Sequence, residues 1–247
     1  MTAPRIIALR GLPDEDQARR LRRDLPDAEW HRIARLRRPQ DRLRSLLGRA
    51  LARRLLAQYL GLAPAQVPLM VGPHGKPLLA AKPGTAPAWH FSIAHSGDQV
   101  LAAFGPQALG VDVETCPVQV DNALFRLTTG RDPHPVEITG DDDRAGRKTG
   151  MPAPDAQAFC AEWVCREAVL KACGLGLLIE PGRLRLQPGG QGWHQVTEPP
   201  ETSGQHVRLL WASPVHCAAL CLPAPQDDWQ LTRLDLDAWL NGLDAAS

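Results

Sequence analysis

At 247 residues, with 44% hydrophobic and 22% charged residues, the chain has the make-up of an ordinary globular protein that can bury one large or two small cores without disulfide or metal staples. A formal net charge of +1 and only 5% aromatic residues argue against a nucleic-acid-binding module that relies on bulk charge and base stacking. The longest apolar stretches are far too short to span a bilayer and the N-terminus lacks a signal-peptide core, so a cytoplasmic protein with no membrane partner is expected.

In chain order, Ile6-Ile-Ala-Leu9 reads as a buried first strand followed by a Gly-Leu-Pro turn. A helical rhythm runs from Asp14 to about Leu36 and is broken at Pro26 and again at Pro39. Residues 41–60 form the strongest helix, with Leu43, Leu46, Leu47, Ala50, Leu51, Leu55 and Tyr59 on one stripe, and Gly61 is its stop. Residues 90–94 and 100–104 are strand-like and flank Ser96, Gly97 and Asp98, the pattern of a hairpin. Residues 109–114 form a third strand that alternates Val111 and Val113 with Asp112 and Glu114. Residues 115–157 are rich in Pro, Gly, Asp and Arg, and a loop or mobile segment is expected there. Helical periodicity returns over 158–173 and stops at Gly174, after which short strands are expected near 184–186, 207–211 and 216–221. Both halves run from a long helix into short strands. The reading is therefore an α+β protein of two similar α/β lobes, 1–115 and 116–247, with a small-molecule site in the cleft between them.

Several groups of residues carry possible chemistry. Asp112 and Glu114 put two carboxylates on one strand face, roughly 6–7 Å apart along the backbone, a spacing that can serve one hard cation such as Mg2+. Trp163, Glu167 and Lys171 recur at every fourth residue and share a helix face. His95 stands where a strand enters a turn, and Gly75-Lys76-Pro77 offers a cation on a tight turn without the frame of a P-loop. Arginines greatly outnumber carboxylates between Arg19 and Arg54, while Asp141, Asp142 and Asp143 form a small acidic run. Taken singly, each has an ordinary structural explanation: a solvated strand face, a surface Glu–Lys pair, a structural histidine. The six cysteines form no C-x-x-C pair and no histidine lies at zinc-finger spacing, which favours buried reduced thiols over a metal or disulfide site.

The order of these motifs is more specific than any one of them. Gly75-Lys-Pro, His95-Ser-Gly, Gly110-Val-Asp-Val-Glu114 and Trp163-x-x-Arg-Glu-Ala-x-x-Lys171, with Arg32-x-x-Arg35 and Asp41-Arg-Leu-Arg-Ser-Leu-Leu-Gly48 upstream, resemble the surfactin-synthetase (Sfp) type of 4'-phosphopantetheinyl transferase over residues 25–180. The resemblance implies an enzyme that moves the 4'-phosphopantetheine arm of coenzyme A to a serine of an acyl or peptidyl carrier protein and releases 3',5'-ADP. It implies Mg2+ at Asp112, Glu114 and Glu167, with Glu167 as general base and Lys171 at the pyrophosphate. It also implies coenzyme A contacts at Lys76, His95, Arg32 and Arg44, with Arg35 and Ser45 nearby, and Asp112 and Lys171 beside the bound substrate.

Three positions depart from the family pattern. Arg166 replaces the usual lysine, Ala94 replaces a serine, and in residues 115–157 Phe125 stands alone where relatives carry a double-phenylalanine helix that helps meet the carrier. An inactive binder of coenzyme A or carrier protein is the alternative that this segment leaves open, and a nucleic-acid-binding module is the more distant one. Two lobes that complete a site within one chain lead to the expectation of a monomer.

Overall fold

The computed structural model describes residues 3–80, 89–132 and 155–244. The acidic run at Asp141, Asp142 and Asp143 lies outside the described residues. Strand β1 (Arg5–Arg10) leads into α1 (Glu15–Arg22), α2 (Asp27–Ala34) and the long α3 (Pro39–Leu60). Asp14 caps α1 through the Gln17 amide, and Gly61 ends α3 in the left-handed conformation with φ of 64°. A small hairpin, β2 (Leu69–Val71) and β3 (Pro77–Leu79), carries the Gly75-Lys76 turn. Then come β4 (His90–Ser96), β5 (Gln99–Gly105), β6 (Gly110–Thr115), α4 (Asn122–Thr129) and α5 (Ala156–Cys173). The chain closes with β7 (Arg185–Gly190), β8 (Trp193–Glu198), β9 (His206–Ala212), β10 (His216–Leu222), β11 (Gln230–Asp235) and α6 (Leu236–Asp244).

Among the described residues two larger sheets, ordered β11-β1-β5-β4 and β6-β10-β9-β8-β7, accompany the two-stranded β2-β3 hairpin in an α+β architecture. They do not divide at residue 115. β6 leaves the first half to pair with β10, and β11 returns from the second half to run parallel to β1, Ile7 opposite Thr232. The alternation within each central strand explains the layering. Ile7, Leu9, Val100 and Ala102 face α3 and its neighbouring helices, while Ile6, Ala8, Leu101 and Ala103 meet Val111, Val113, Ala218 and Leu220 between the sheets. The opposite faces of β6 and β10 turn towards α5, where Cys217, Ala219 and Cys221 pack with Val164, Ala168 and Val169. The molecule is thus stacked as helices, sheet, sheet, helix, and both central strands are buried on two sides.

The sheet edges β4 and β6 meet without a regular ladder. Ser92 Oγ accepts from the Val111 amide at 3.1 Å and Ser96 Oγ from the Thr115 amide at 3.0 Å, both pairs 19 residues apart. Two serine hydroxyls therefore stand in for carbonyls and stitch the strands in one register.

The expectation of a loop over 115–157 is corrected where the structure describes it. Asn122–Thr129 is a helix, capped by Asp121 on the Leu124 amide and ended by Gly130 at φ of 68°. Phe125 packs against Phe159 of α5, ring centroids 6.3 Å apart, so tertiary contact supports a helix that average composition concealed.

Candidate active site

The site grows from the contact between β6 and α5. A Cβ on Gly110 would come within 2.0 Å of the Ala168 carbonyl oxygen and 2.5 Å of the Ala172 nitrogen, so only glycine lets the strand lie this close to the helix. Asp112 and Glu114 follow on the face that looks at α5. The helix is capped by Asp155, which accepts from the Gln157 and Ala158 amides, and its four-residue spacing presents Trp163, Glu167 and Lys171 towards the strand.

Lys171 Nζ donates to Asp112 Oδ1 at 2.6 Å. The other oxygen of Asp112 is buried without a hydrogen-bond partner, as is Oε1 of Glu167. Burial pushes the Asp112 carboxyl up to about 7; Lys171 opposes this, and Glu114 and Glu167 add to it. Glu167 is likewise raised, first by burial and then by Glu114, against Lys171. Glu114 Oε2 accepts from Ser96 Oγ at 2.7 Å, so the serine that joins the sheets also orients this carboxylate. His95-Ser-Gly stood out in the sequence for its histidine, yet Ser96 is the residue that touches the acidic group.

The three carboxylates crowd one region with a single lysine on Asp112, and two of their oxygens are orphaned. That hard-oxygen donor set, short of positive charge, fits Mg2+. Among the described residues their ligand atoms are not gathered as tightly as those of the one group that lies within 4.8 Å, which is made of cysteines.

The cations sort into different places. His95 stands at the end of β4 with part of its side chain open to solvent; the packing around its ring lowers its pKa, with Lys171 and Arg44 acting in the same direction and a backbone hydrogen bond and Asp41 against. Arg44 fixes that corner by donating to the Gly97 carbonyl and to Asp41, both at 2.7 Å. Arg32 is exposed on α2 and lines a separate cavity of about 220 Å3 with Glu29, Arg49 and Met70. Lys76 turns inwards, donating to the carbonyls of Lys171 at 2.5 Å and Ala172 at 3.3 Å, with the Leu109 carbonyl at 3.5 Å. It caps the C-terminal end of α5 and ties it to the start of β6. Between the Lys76 turn, Phe91, Ser92 and Lys171 lies a cavity of about 220 Å3.

Two arginine findings escape sequence reasoning. Arg53 is buried and donates to Glu29 at 2.7 Å and to the Pro64 and Val67 carbonyls, Arg49 pairs with Glu29 at 3.1 Å, and Arg54 with Asp24 at 2.5 Å. Much of the arginine excess on α3 is therefore structural. Arg166, beside Glu167, points away into the protein and donates to the carbonyls of Pro181, Leu184 and Thr129 and to Glu162. It fastens α4 and the start of β7 to α5.

The family described as "4'-phosphopantetheinyl transferase, N-terminal" matches residues 12–107. A phosphopantetheinyl transferase of Thraustochytrium sp. is 31% identical over 169 residues, 67% of this chain and 58% of that one. The 4'-phosphopantetheinyl transferase Sfp of Bacillus subtilis is 24% identical over 204 residues, 81% of this chain and 83% of its own. By the family match over residues 12–107 and by these relatives, the chain is similar to 4'-phosphopantetheinyl transferases. A putative 4'-phosphopantetheinyl transferase of Synechocystis is also similar, 32% identical over 154 residues, 62% of this chain. The matches to the Thraustochytrium and Synechocystis relatives span 58% of the length of each. Within the family match fall Arg32, Arg44, Lys76 and His95, whereas the three carboxylates and Lys171 lie beyond residue 107. Among the described residues no helix is long and apolar enough to cross a membrane.

Proposed function

We propose that this protein is an Sfp-type transferase that moves 4'-phosphopantetheine from coenzyme A to a serine of an acyl or peptidyl carrier protein, with Mg2+ held by Asp112, Glu114 and Glu167. The observation that carries this reading is the pair of orphaned buried oxygens, Asp112 Oδ2 and Glu167 Oε1, on a strand and helix that Lys171 already bridges. Bound there, the cation would neutralise charge on the coenzyme A pyrophosphate.

The chain's own groups supply the rest. Glu167, kept more basic than an ordinary carboxylate by its burial, takes the proton from the carrier serine as the serine oxygen bonds to the β-phosphorus. The bond from that phosphorus to the oxygen of 3',5'-ADP breaks, and the leaving phosphate receives the charge. Lys171 has three N–H donors, more than its Asp112 contact uses, and stabilises that developing charge. His95 and Arg44, gathered at one corner of the β4–β5 turn, suit the phosphates of coenzyme A, and Arg32 suits its remote 3'-phosphate. Lys76 sets the position of Lys171 by holding its carbonyl. The carrier is met by α4, whose Leu124 and Leu127 are exposed beside the cavity that Glu114 and Trp163 line.

The test is chromatographic release of 3',5'-ADP from coenzyme A in the presence of an apo carrier protein. Release that requires the carrier and Mg2+, and that falls at least about 100-fold in Lys171→Met, is expected for removal of a preorganised charge. Release without the carrier would mean hydrolysis instead of transfer, and an unaffected Lys171→Met would remove the role given to that residue.

A further inference from the structure

β6 and β10 are antiparallel neighbours, so Glu114 stands opposite Cys217, and Cys116 follows at the exit of β6. α5 covers that face and brings Cys160 to the same place. The three Sγ atoms all lie within 4.8 Å of one another, with Cys116 and Cys217 at 3.8 Å. Cys160 and Cys217 are buried and Cys116 is partly exposed. Three sulphurs from three separate segments converge on one point, whereas Cys165, Cys173 and Cys221 are spread through the packing as single thiols. All six cysteines are free, so this convergence is not used by a disulfide.

We propose that Cys116, Cys160 and Cys217 form a site for a soft, thiophilic divalent cation such as Zn2+. With Zn–S bonds of about 2.3 Å the sulphurs of a tetrahedral site stand roughly 3.8 Å apart, the separation that Cys116 and Cys217 already have. The remaining edges close with shifts of about an ångström or less, given their 4.8 Å limit. A fourth ligand is at hand: the Ser213 carbonyl lies 3.4 Å from Cys116 Sγ and 4.0 Å from Cys217 Sγ. Entry runs through the cavity of about 270 Å3 that Cys160 lines together with Phe159 and Pro117. On binding, each thiol releases its proton to solvent and gives a sulphur electron pair to the metal, so one Zn2+ replaces three protons. The resulting charge stays near water at the partly exposed Cys116.

Soft sulphur selects Zn2+ where the oxygen groups of Asp112, Glu114 and Glu167 select a hard cation, so two neighbouring donor sets on β6 would hold different metals. The ion would cross-link the exit of β6, β10 and the first half of α5, and so tie β6, which carries Asp112 and Glu114, to the helix that carries Glu167.

The test uses the full-length protein, reduced and freed of metal, titrated with Co2+ and then with Zn2+. One equivalent of Co2+ is expected to give a thiolate-to-metal charge-transfer band that Zn2+ removes, and the band is expected to persist in Asp112→Asn and Cys173→Ser. Zn2+ affinity in Cys217→Ser and in the more exposed Cys116→Ser should fall by more than about 100-fold, beyond the loss that outer partners of a metal site cause. Should Cys217→Ser fail to fold, protection of the Cys116 thiol from alkylation by one equivalent of Zn2+ in the wild type gives the same reading. Absence of the band with all thiols reduced, a band that survives both cysteine substitutions, or alkylation unaffected by Zn2+ would overturn the proposal.

Discussion

Gly110 and Ala168 approach so closely that a methyl group on the glycine would stand 2.0 Å from the alanine carbonyl oxygen. Both atoms belong to backbones held by a sheet and a helix, so neither can give way cheaply. Gly110→Ala is expected to cost about 1–3 kcal/mol or more and to part Asp112 from Lys171. Chemical denaturation reads the first effect, and transfer activity of the folded fraction reads the second. A variant with wild-type stability would mean that the strand and helix are not packed this tightly.

Lys76 is expected to behave as a structural residue. Its ammonium sits on the carbonyls of Lys171 and Ala172, and Lys76→Met removes that cap while keeping an apolar stem. A loss of about 1–2 kcal/mol in unfolding free energy is predicted, with turnover falling as Lys171 loses its support. An unchanged melting temperature with only a higher KM for coenzyme A would place Lys76 on the substrate.

Arg53 and Glu29 form a buried pair with side chains 3% and 6% exposed. Arg53→Met leaves Glu29 with Arg49 alone, and breaking a buried pair from one side costs about 3–5 kcal/mol. Arg44→Met, which gives up the Gly97 and Asp41 contacts, should cost less, about 1–2 kcal/mol, and weaken coenzyme A binding. Calorimetry and denaturation on the two variants separate these roles, and equal effects on both would contradict the division.

The elevated Asp112 carboxyl has a signed consequence. Its folded pKa of about 7 lies above the ordinary 3.8, so the metal-free protein holds a proton that the unfolded chain releases. The contribution of Asp112 to stability is full below the ordinary value and is lost as pH rises to about 7. In Asp112→Asn this decline should flatten, and Mg2+ should raise the wild-type melting temperature more at pH 8 than at pH 5. A thermal-shift series in chelator across that range checks both.

The sequence made legible what local pattern controls. Alternation exposed the valine and carboxylate faces of β6, four-residue spacing aligned Glu167 with Lys171, and Gly61 and Gly174 marked helix ends. What it hid depends on distant neighbours. The pairing of β1 with β11 joins Arg10 to Asp235, the inward turn of Lys76 needs the end of α5, and the gathering of Cys116, Cys160 and Cys217 needs three separate segments. α4 lay in between: Asp121 and Gly130 are a start and stop signal, overlooked because prolines and charges surround them. The structural share of the arginine excess was hidden too, because burial of Arg53 cannot be seen without Glu29 folded over it.

The central claim is tested most directly by intact-mass spectrometry of apo acyl and peptidyl carrier proteins incubated with this protein, coenzyme A and Mg2+, alongside Glu167→Gln. The account predicts a gain of one phosphopantetheine arm on at least one carrier with the wild type, and a rate lower by about 100-fold or more with Glu167→Gln. No gain on any carrier while coenzyme A binds, or a gain that Glu167→Gln leaves undiminished, would contradict it.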